Sequence, residues 1–495
     1  MKKRFSALLA MLLGLILALS FMLVGCGETP NGGNNGDSGT PPVIKPDDDD
    51  PNKPGNEEDE FKVSYRTDYT PERFSDVTNE VTELADGVYL VANKLTMKKG
   101  LLNGKTSVVY TIEVDLTKAN IVAGTKGNAT TDFNWEKAVP YRMALDWEEA
   151  TGGRVYACIN ADFFGSKTVN AFVKDGIIIK DSHNDTGVPG NYNYTNTSVD
   201  VPASAPMLFG VNGTKAQIAP IITVEGDPTT AAVKEQLVKA KLSYGILDGT
   251  KMYTVRENTT PTQLQTNEIA FHTSTSDEVS PSKGYVVKVD NTKGITQLKV
   301  LEVTKITSRT PLTAGEGYAY LYNNASSGNT ATYLSKLKAG DTLSFSVASP
   351  DGKWNDYDTI LGCRQALVMN NQIAATITKE NTNGAQQQDV PRTAVGIKNG
   401  KVVLFGVESM YYYAKSKDPN DPHGMNLPEL AEFAYYYGCS DAANFDGGGS
   451  THLVVHPENA DARLVIRSAD YKPTTGLFTT RPVCNAFLIT SKVGK

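Results

Sequence analysis

The chain has 495 residues, a net charge of −7 and 40% hydrophobic residues. Those values leave ample apolar material for two or three domain-sized cores and exclude a chain that is disordered throughout. No basic patch or block of like positive charge argues for a nucleic-acid partner.

Lys2, Lys3 and Arg4 precede an apolar stretch from about Ala7 to Val24, which ends in "LVGC". The pattern reads as an export signal over residues 1–25 with a lipobox, in which Cys26 is the lipidated residue and the anchor to a bacterial membrane. The alternative is an ordinary signal or a membrane anchor with a chance cysteine. No other apolar run approaches the roughly 18 residues that a spanning helix needs. Residues 26–60 read as a disordered tether, carrying ten acidic residues and two lysines. The acidity of the chain therefore resides in the tether. A lead-in over residues 61–84 follows.

Beyond it, short β-branched segments dominate, among them "VVYTIEVDL", "LKVLEVTKI", "DTLSFSV" and "VVLFGVE", each bounded by Gly, Asn, Asp or Pro. "CINADFFG" (158–165) is a strand ending in Asn160 and Asp162, followed by Phe163. By itself it reads equally as a strand end closed by an Asx turn. Residues 206–349 are rich in strands and hold no polar motif, which suggests an inserted β-rich module. "ILGCRQALVMNNQI" (360–373) reads as a buried strand and a hairpin turn at Asn370-Asn371. In "PRTAVGIKNGKVVLFGVE" (391–408), Arg392 opens a strand and Asn399-Gly400 makes a two-residue turn. An arginine at a strand mouth suits bidentate binding of an anion, and equally a solvated rim.

"NLPELAEFAYYYG" (426–438) has the pattern of a helix: Asn426 as N-cap, Glu429 completing a capping box, Gly438 beyond the last turn. Glu429 thus has a structural explanation beside a catalytic one. The last segment, "NFDGGGSTH" (444–452), reads as strand, turn and returning strand. Asn444, Asp446, Ser450 and Thr451 flank Gly447, Gly448 and Gly449. Successive backbone N–H groups there are suited to cradling an oxyanion, while no Lys-Ser/Thr follows to make a P-loop. Cys158, Cys363, Cys439 and Cys484 leave three disulfide connectivities or free thiols open. His452 and His456 lack a third ligand nearby, so no metal site and no cofactor are expected.

Taken in order, "INADFFG", "LGCRQALVMNN", "RTAVGIKNGKVVLFGVE", the "LPELA" helix with "NFDGGGST", and "RPVCNAFLI" resemble the phosphodiester glycosidase family. The resemblance covers roughly residues 85–492. It implies an α+β domain around a mixed, mainly antiparallel sheet with few helices, formed by residues 85–205 and 350–492. It also implies hydrolysis of a glycan-1-phosphodiester at the sugar C1–O bond. Asp446 is then the first candidate for the catalytic carboxylate, with Asp162 and Glu429 behind it. Asn160, Phe163, Arg392, Asn444, Gly447, Gly448, Gly449, Ser450, Thr451 and Arg481 are the candidates for binding the substrate, with Arg392, Arg481 and the backbone N–H groups neutralising its phosphate. A rival expectation is a surface lipoprotein that binds glycans without turnover, with Tyr411-Tyr412-Tyr413 and Tyr435-Tyr436-Tyr437 as stacking surfaces.

Overall fold

The computed structural model describes residues 61–492, apart from 100–101, 131–134, 182–206, 223–229, 231, 233–239, 375–376, 378–388, 411–417, 419–420, 468–469, 471 and 473. The export signal, Cys26, the tether and Tyr411-Tyr412-Tyr413 lie outside the described residues.

The backbone of the architecture is an eight-stranded sheet in the order Phe74–Ala85, Val88–Met97, Thr106–Val114, Lys401–Val407, Arg392–Lys398, Asp441–Asn444, Ala366–Met369 and Gln372–Ile373. Every neighbouring pair in it runs antiparallel. Its hairpins are local chemistry. Asn399 and Gly400 both have positive φ (50° and 78°), as a turn between right-twisted strands requires. Asn370 and Asn371 do the same at 51° and 60°. Buried Val, Ile, Leu and Phe from this sheet form the main core with the helix Leu427–Tyr436, whose capping box forms as the sequence indicates.

A five-stranded sheet packs its Ile159, Leu453, Phe487 and Ile489 into the same core. Its order is Arg463–Leu464, Leu453–Val455, Val155–Asn160, Ala486–Ser491 and Ala119–Gly124. The helix Pro140–Thr151 covers its other face through Met143, Ala144 and Trp147. That helix was missed in the sequence, although proline in its first turn and Gly152 (φ 70°) beyond its last are ordinary boundary signals.

A second eight-stranded sheet takes all its strands from Ser243–Asp248 through Phe345–Ala348 and has its own core around Ile269, Phe271, Val287 and Leu321. The strands Met207–Asn212 and Lys215–Pro220 are not part of it. They join Thr359–Cys363, Phe172–Lys174 and Ile177–Lys180 in a separate five-stranded sheet, and Phe209 and Ile218 enter the main core. The strand-rich stretch expected to begin at 206 therefore has its first hairpin in the main body.

The fold is mostly β, with antiparallel sheets and three α-helices among the described residues; α+β fits it only loosely. The one parallel neighbour pair among the named strands is Lys251–Glu257 with Glu268–His272. Residues Lys62–Lys495 make one unit.

Candidate active site

The polar segments singled out in the sequence meet where strands of the three main-body sheets end. Val155–Asn160 delivers Asn160, whose Nδ2 donates to the Asp446 carbonyl at 2.7 Å. Asp446 N–H returns a bond to the Ala161 carbonyl at 3.0 Å. The Thr393 hydroxyl, one residue into the strand that Arg392 opens, reaches Asn160 Oδ1 at 2.8 Å and Thr451 Oγ1 at 3.2 Å. These buried bonds tie 160–162, 392–393 and 446–451 into one cluster, across more than 200 positions of sequence.

The glycines have three separate reasons. A Cβ on Gly447 would stand 2.8 Å from the Pro391 carbonyl oxygen, so the chain passes there only without a side chain. Gly448 has φ +62°, a left-handed conformation, and its Cβ would meet open space. Gly449 lies directly beneath the Arg481 guanidinium and the Asp470 carboxylate, which leave no room for a methyl group. The segment Gly448–Ser450 is a turn of 3₁₀-helix. It does not return the chain to its own sheet, as a hairpin reading requires. Asp441–Asn444 belongs to the long sheet and Leu453–Val455 to the five-stranded one. The DGGGS turn is thus a bridge between two layers.

Asp446 is largely buried, and burial pushes its carboxyl above the usual range. The Ser450 hydroxyl, the Gly447 N–H, Arg481 and Arg364 pull it back toward the ionised form. Asp162 is fully buried and is pushed up to about 7, chiefly by desolvation and further by the charge of Asp446. Its two oxygens accept from Asn170, one from the backbone N–H at 3.0 Å and one from the side-chain amide at 2.6 Å. Asn485 Oδ1 accepts the Asp162 N–H at 3.0 Å. Two interacting carboxyls, one held closer to neutral than the other, suit acid–base chemistry near neutral pH.

Glu429 stands apart from this pair. Its carboxylate accepts the Asn426 N–H at 2.8 Å, closing the capping box, and burial pushes it up to about 7 against Arg73 and Arg392. Arg392 is buried, with Nε donating to the Met425 carbonyl at 2.9 Å and its Cδ beside Gly447. It lies between the glycines and the start of the Leu427–Tyr436 helix. Arg481 is half-exposed; it pairs with Asp470 at 2.6 Å and reaches Ser450 Oγ at 3.5 Å. Asn444 is buried, with its Nδ2 on Gln365 Oε1 at 2.9 Å. Phe163 lies under the Arg364 guanidinium, 4.1 Å from ring centre to Cζ.

Buried polar atoms without a partner gather in the same segments. Thr168 Oγ1, Arg364 Nε, Asn444 Oδ1, His452 Nε2, Thr480 Oγ1 and Asn485 Nδ2 are six of the ten among the described residues. Buried polar groups are nearly always paired, so this concentration marks a place where a polar ligand or ordered water belongs.

A family model for phosphodiester glycosidases matches residues 221–490, more than half of the chain. The chain belongs to the phosphodiester glycosidase family. The matched range contains Arg392, Glu429, Asn444 to Thr451 and Arg481, and leaves Asn160, Asp162 and Phe163 before it. Among solved structures, a hypothetical protein from Synechocystis is similar at 17% identity and a TM-score of 0.43, over 86% of this chain and 65% of that one. This chain thus spans less than two thirds of that protein. A putative exported protein from Burkholderia pseudomallei is similar at 12% identity and 0.43, over 87% and 99%. So is the catalytic domain of zebrafish N-acetylglucosamine-1-phosphodiester alpha-N-acetylglucosaminidase, auto-inhibited by its pro-peptide, at 12% and 0.39, over 84% and 88%. No curated protein matches the chain. At such identities and scores the family assignment rests on the family match.

Asn170, Arg364, Gln365, Thr393 and Asn485 join the candidate site, and the sequence alone does not single them out. All but Asn170 stand in the quoted segments, where the charge of Arg364 is a usable signal; the roles of the others show only through their long-range bonds. Of the tyrosines expected as stacking surfaces, Tyr435, Tyr436 and Tyr437 are packing groups. Tyr435 is covered by Arg66 and meets Tyr69 edge-on, Tyr436 stacks on Tyr65, and Tyr437 is buried with its hydroxyl on Glu113. The four cysteines are buried and unpaired. Burial lowers His452 to about 4, keeping it neutral, and no group of three His, Cys, Asp or Glu among the described residues could hold a metal ion.

Proposed function

We propose that this chain hydrolyses a glycan-1-phosphodiester at the sugar C1–O bond, releasing free sugar and a phosphomonoester. The observation that carries the reading is the Asp162–Asp446 pair at strand ends beside Arg481 and Arg364, ringed by buried polar atoms without partners. The zebrafish neighbour's name, a glucosaminidase acting on a 1-phosphodiester, agrees with it.

In this reaction the C1–O bond breaks with its electron pair going to the phosphate, and the water oxygen bonds to C1. A phosphate monoester is a good leaving group, so protonating it matters less than for an alcohol. The transition state instead needs neutralisation of the anion and stabilisation of positive charge at C1. In our reading Asp446 supplies the second need as a carboxylate held ionised by Ser450, Gly447 and the arginines, and takes the proton of the attacking water. Asp162 fixes the floor through Asn170 and Asn485. Arg481 and Arg392, with the N–H groups of the glycine turn, bind the phosphate.

The test is a screen of the purified chain on sugar-1-phosphodiesters in heavy-oxygen water. Free reducing sugar carrying the label is expected. Label in the phosphate instead means P–O cleavage and overturns the reading. We further infer that the lipobox and tether place the enzyme outside the cell, on a membrane through Cys26. A Cys26→Ser variant that stays membrane-bound at wild-type size and level argues against that.

A further inference from the structure

Three arginines stand in the candidate site, and two of them have their Nε already tied to other groups. Arg481 Nε is tied to Asp470, and Arg392 Nε to the Met425 carbonyl. The third, Arg364, is placed with more care than either. It lies in the two-residue crossover from Thr359–Cys363 in one sheet to Ala366–Met369 in another. Three bonds pin that crossover to Asn444: Arg364 N–H to the Asn444 carbonyl at 3.0 Å, Asn444 N–H to the Gln365 carbonyl at 2.9 Å, and the Asn444 amide to Gln365 Oε1 at 2.9 Å. The guanidinium then lies over the Phe163 ring, in reach of the field of Asp446.

So positioned, the Arg364 side chain makes no hydrogen bond or ion pair to any described residue, and its Nε is buried without a partner. A cation taken partly out of water with its donors unpaired is costly unless a ligand completes it. The Phe163 face stabilises the cation without using its N–H groups.

We propose that Arg364, stacked over Phe163, is a further phosphate-binding residue of this site, taking the anionic group of the substrate together with Arg481 and Arg392. The proposal rests on the phosphodiester reading for the identity of the anion. The guanidinium fork matches two non-bridging oxygens of a phosphate.

Inorganic phosphate serves as the probe, titrated calorimetrically into the full-length chain, so the outcome is independent of turnover. Loss of a charge-assisted bond predicts that Arg364→Gln weakens phosphate binding about tenfold or more. Arg364→Lys is expected to restore part of it, and Phe163→Leu to weaken it a few-fold. The proposal is overturned if phosphate does not bind the wild-type chain, or binds Arg364→Gln as tightly as wild type while the variant melts normally. If Arg364→Gln fails to fold, unchanged binding in both Arg364→Lys and Phe163→Leu overturns it. A chain that binds phosphate through Arg364 yet releases no sugar would sink the hydrolase reading and leave this one standing.

Discussion

Replacing Gly449 by alanine separates the chemistry of the glycine turn from its folding. The added methyl would overlap the Arg481 guanidinium and stand 2.5 Å from the Asp470 carboxylate carbon. Ordinary carbon contacts begin near 3.5 Å, so the pair must retreat by about 1 Å. Both side chains are about two-fifths exposed (41% and 42%), so they can swing outward at little cost to the fold. An exposed pair of this kind contributes under about 1 kcal/mol. The same retreat draws Arg481 away from Ser450 and from the phosphate it is proposed to grip. A misplacement of about 1 Å in a positioning group costs on the order of a hundredfold in rate. The expected result is a melting temperature near wild type with kcat/KM on a sugar-1-phosphodiester lower by about 10- to 100-fold. Melting and steady-state kinetics on one preparation decide it. If kcat/KM stays within about twofold while the protein melts normally, Arg481 does not hold the substrate from above Gly449 and the reasoning is wrong.

Gly448→Ala should show the opposite balance. The left-handed φ costs about 1–2 kcal/mol for an alanine, which lowers the melting temperature by about 2 °C in a unit of this size. Asp446→Asn is expected to lower kcat by about a hundredfold or more with the fold intact. The wild-type acid limb of kcat/KM should lie above the ordinary carboxylate range, because burial raises Asp446; a limb at or below that range contradicts the assignment. Burial pushes both Asp162 and Glu429 up to about 7 in the folded chain, above their unfolded values, so the folded chain holds these protons to higher pH. Their contribution to stability is therefore greatest below the unfolded values and is lost as pH rises from about 4 to about 7. Thermal melts should show a higher midpoint near pH 5 than near pH 8, and Glu429→Gln, whose amide oxygen still accepts from Asn426, should reduce that difference.

The features legible in the sequence were those with local causes. The Asn426 and Glu429 capping box, the Asn399-Gly400 and Asn370-Asn371 turns and the strand opened by Arg392 each depend on residues a few positions apart. The site was legible as a set of segments but not as a geometry. Nothing local in "NFDGGGSTH" distinguishes a hairpin from a bridge between sheets, because the destination of Leu453–Val455 is set by its pairing with Val155–Asn160. Asn485 is invisible as a partner of Asp162 for the same reason, with 323 positions between them. The tyrosine run after Phe433 reads as a sticky surface until Tyr65, Tyr69 and Arg66 are seen to cover it. Fold class shifted toward β because the helices are few and short, while strands with weak individual signals fill four sheets.

The second eight-stranded sheet is entered and left at one place, since Ser243 and Ala348 are facing partners on its two final neighbouring strands. This has a consequence for the order in which the chain acquires structure. Met207 must find Cys363 to build the sheet beside the site, a search across roughly 150 residues. Once the 243–348 excursion has closed on itself, its ends are pinned together and the effective loop shrinks to roughly 50 residues, which lowers the closure entropy by about 1 kcal/mol. An early excursion therefore brings Arg364, immediately beyond that strand, toward the remainder of the candidate site. Variants that slow the closing of Ser243 on Ala348 should delay the appearance of activity on refolding without changing its final level, even though none of their residues lies in the site.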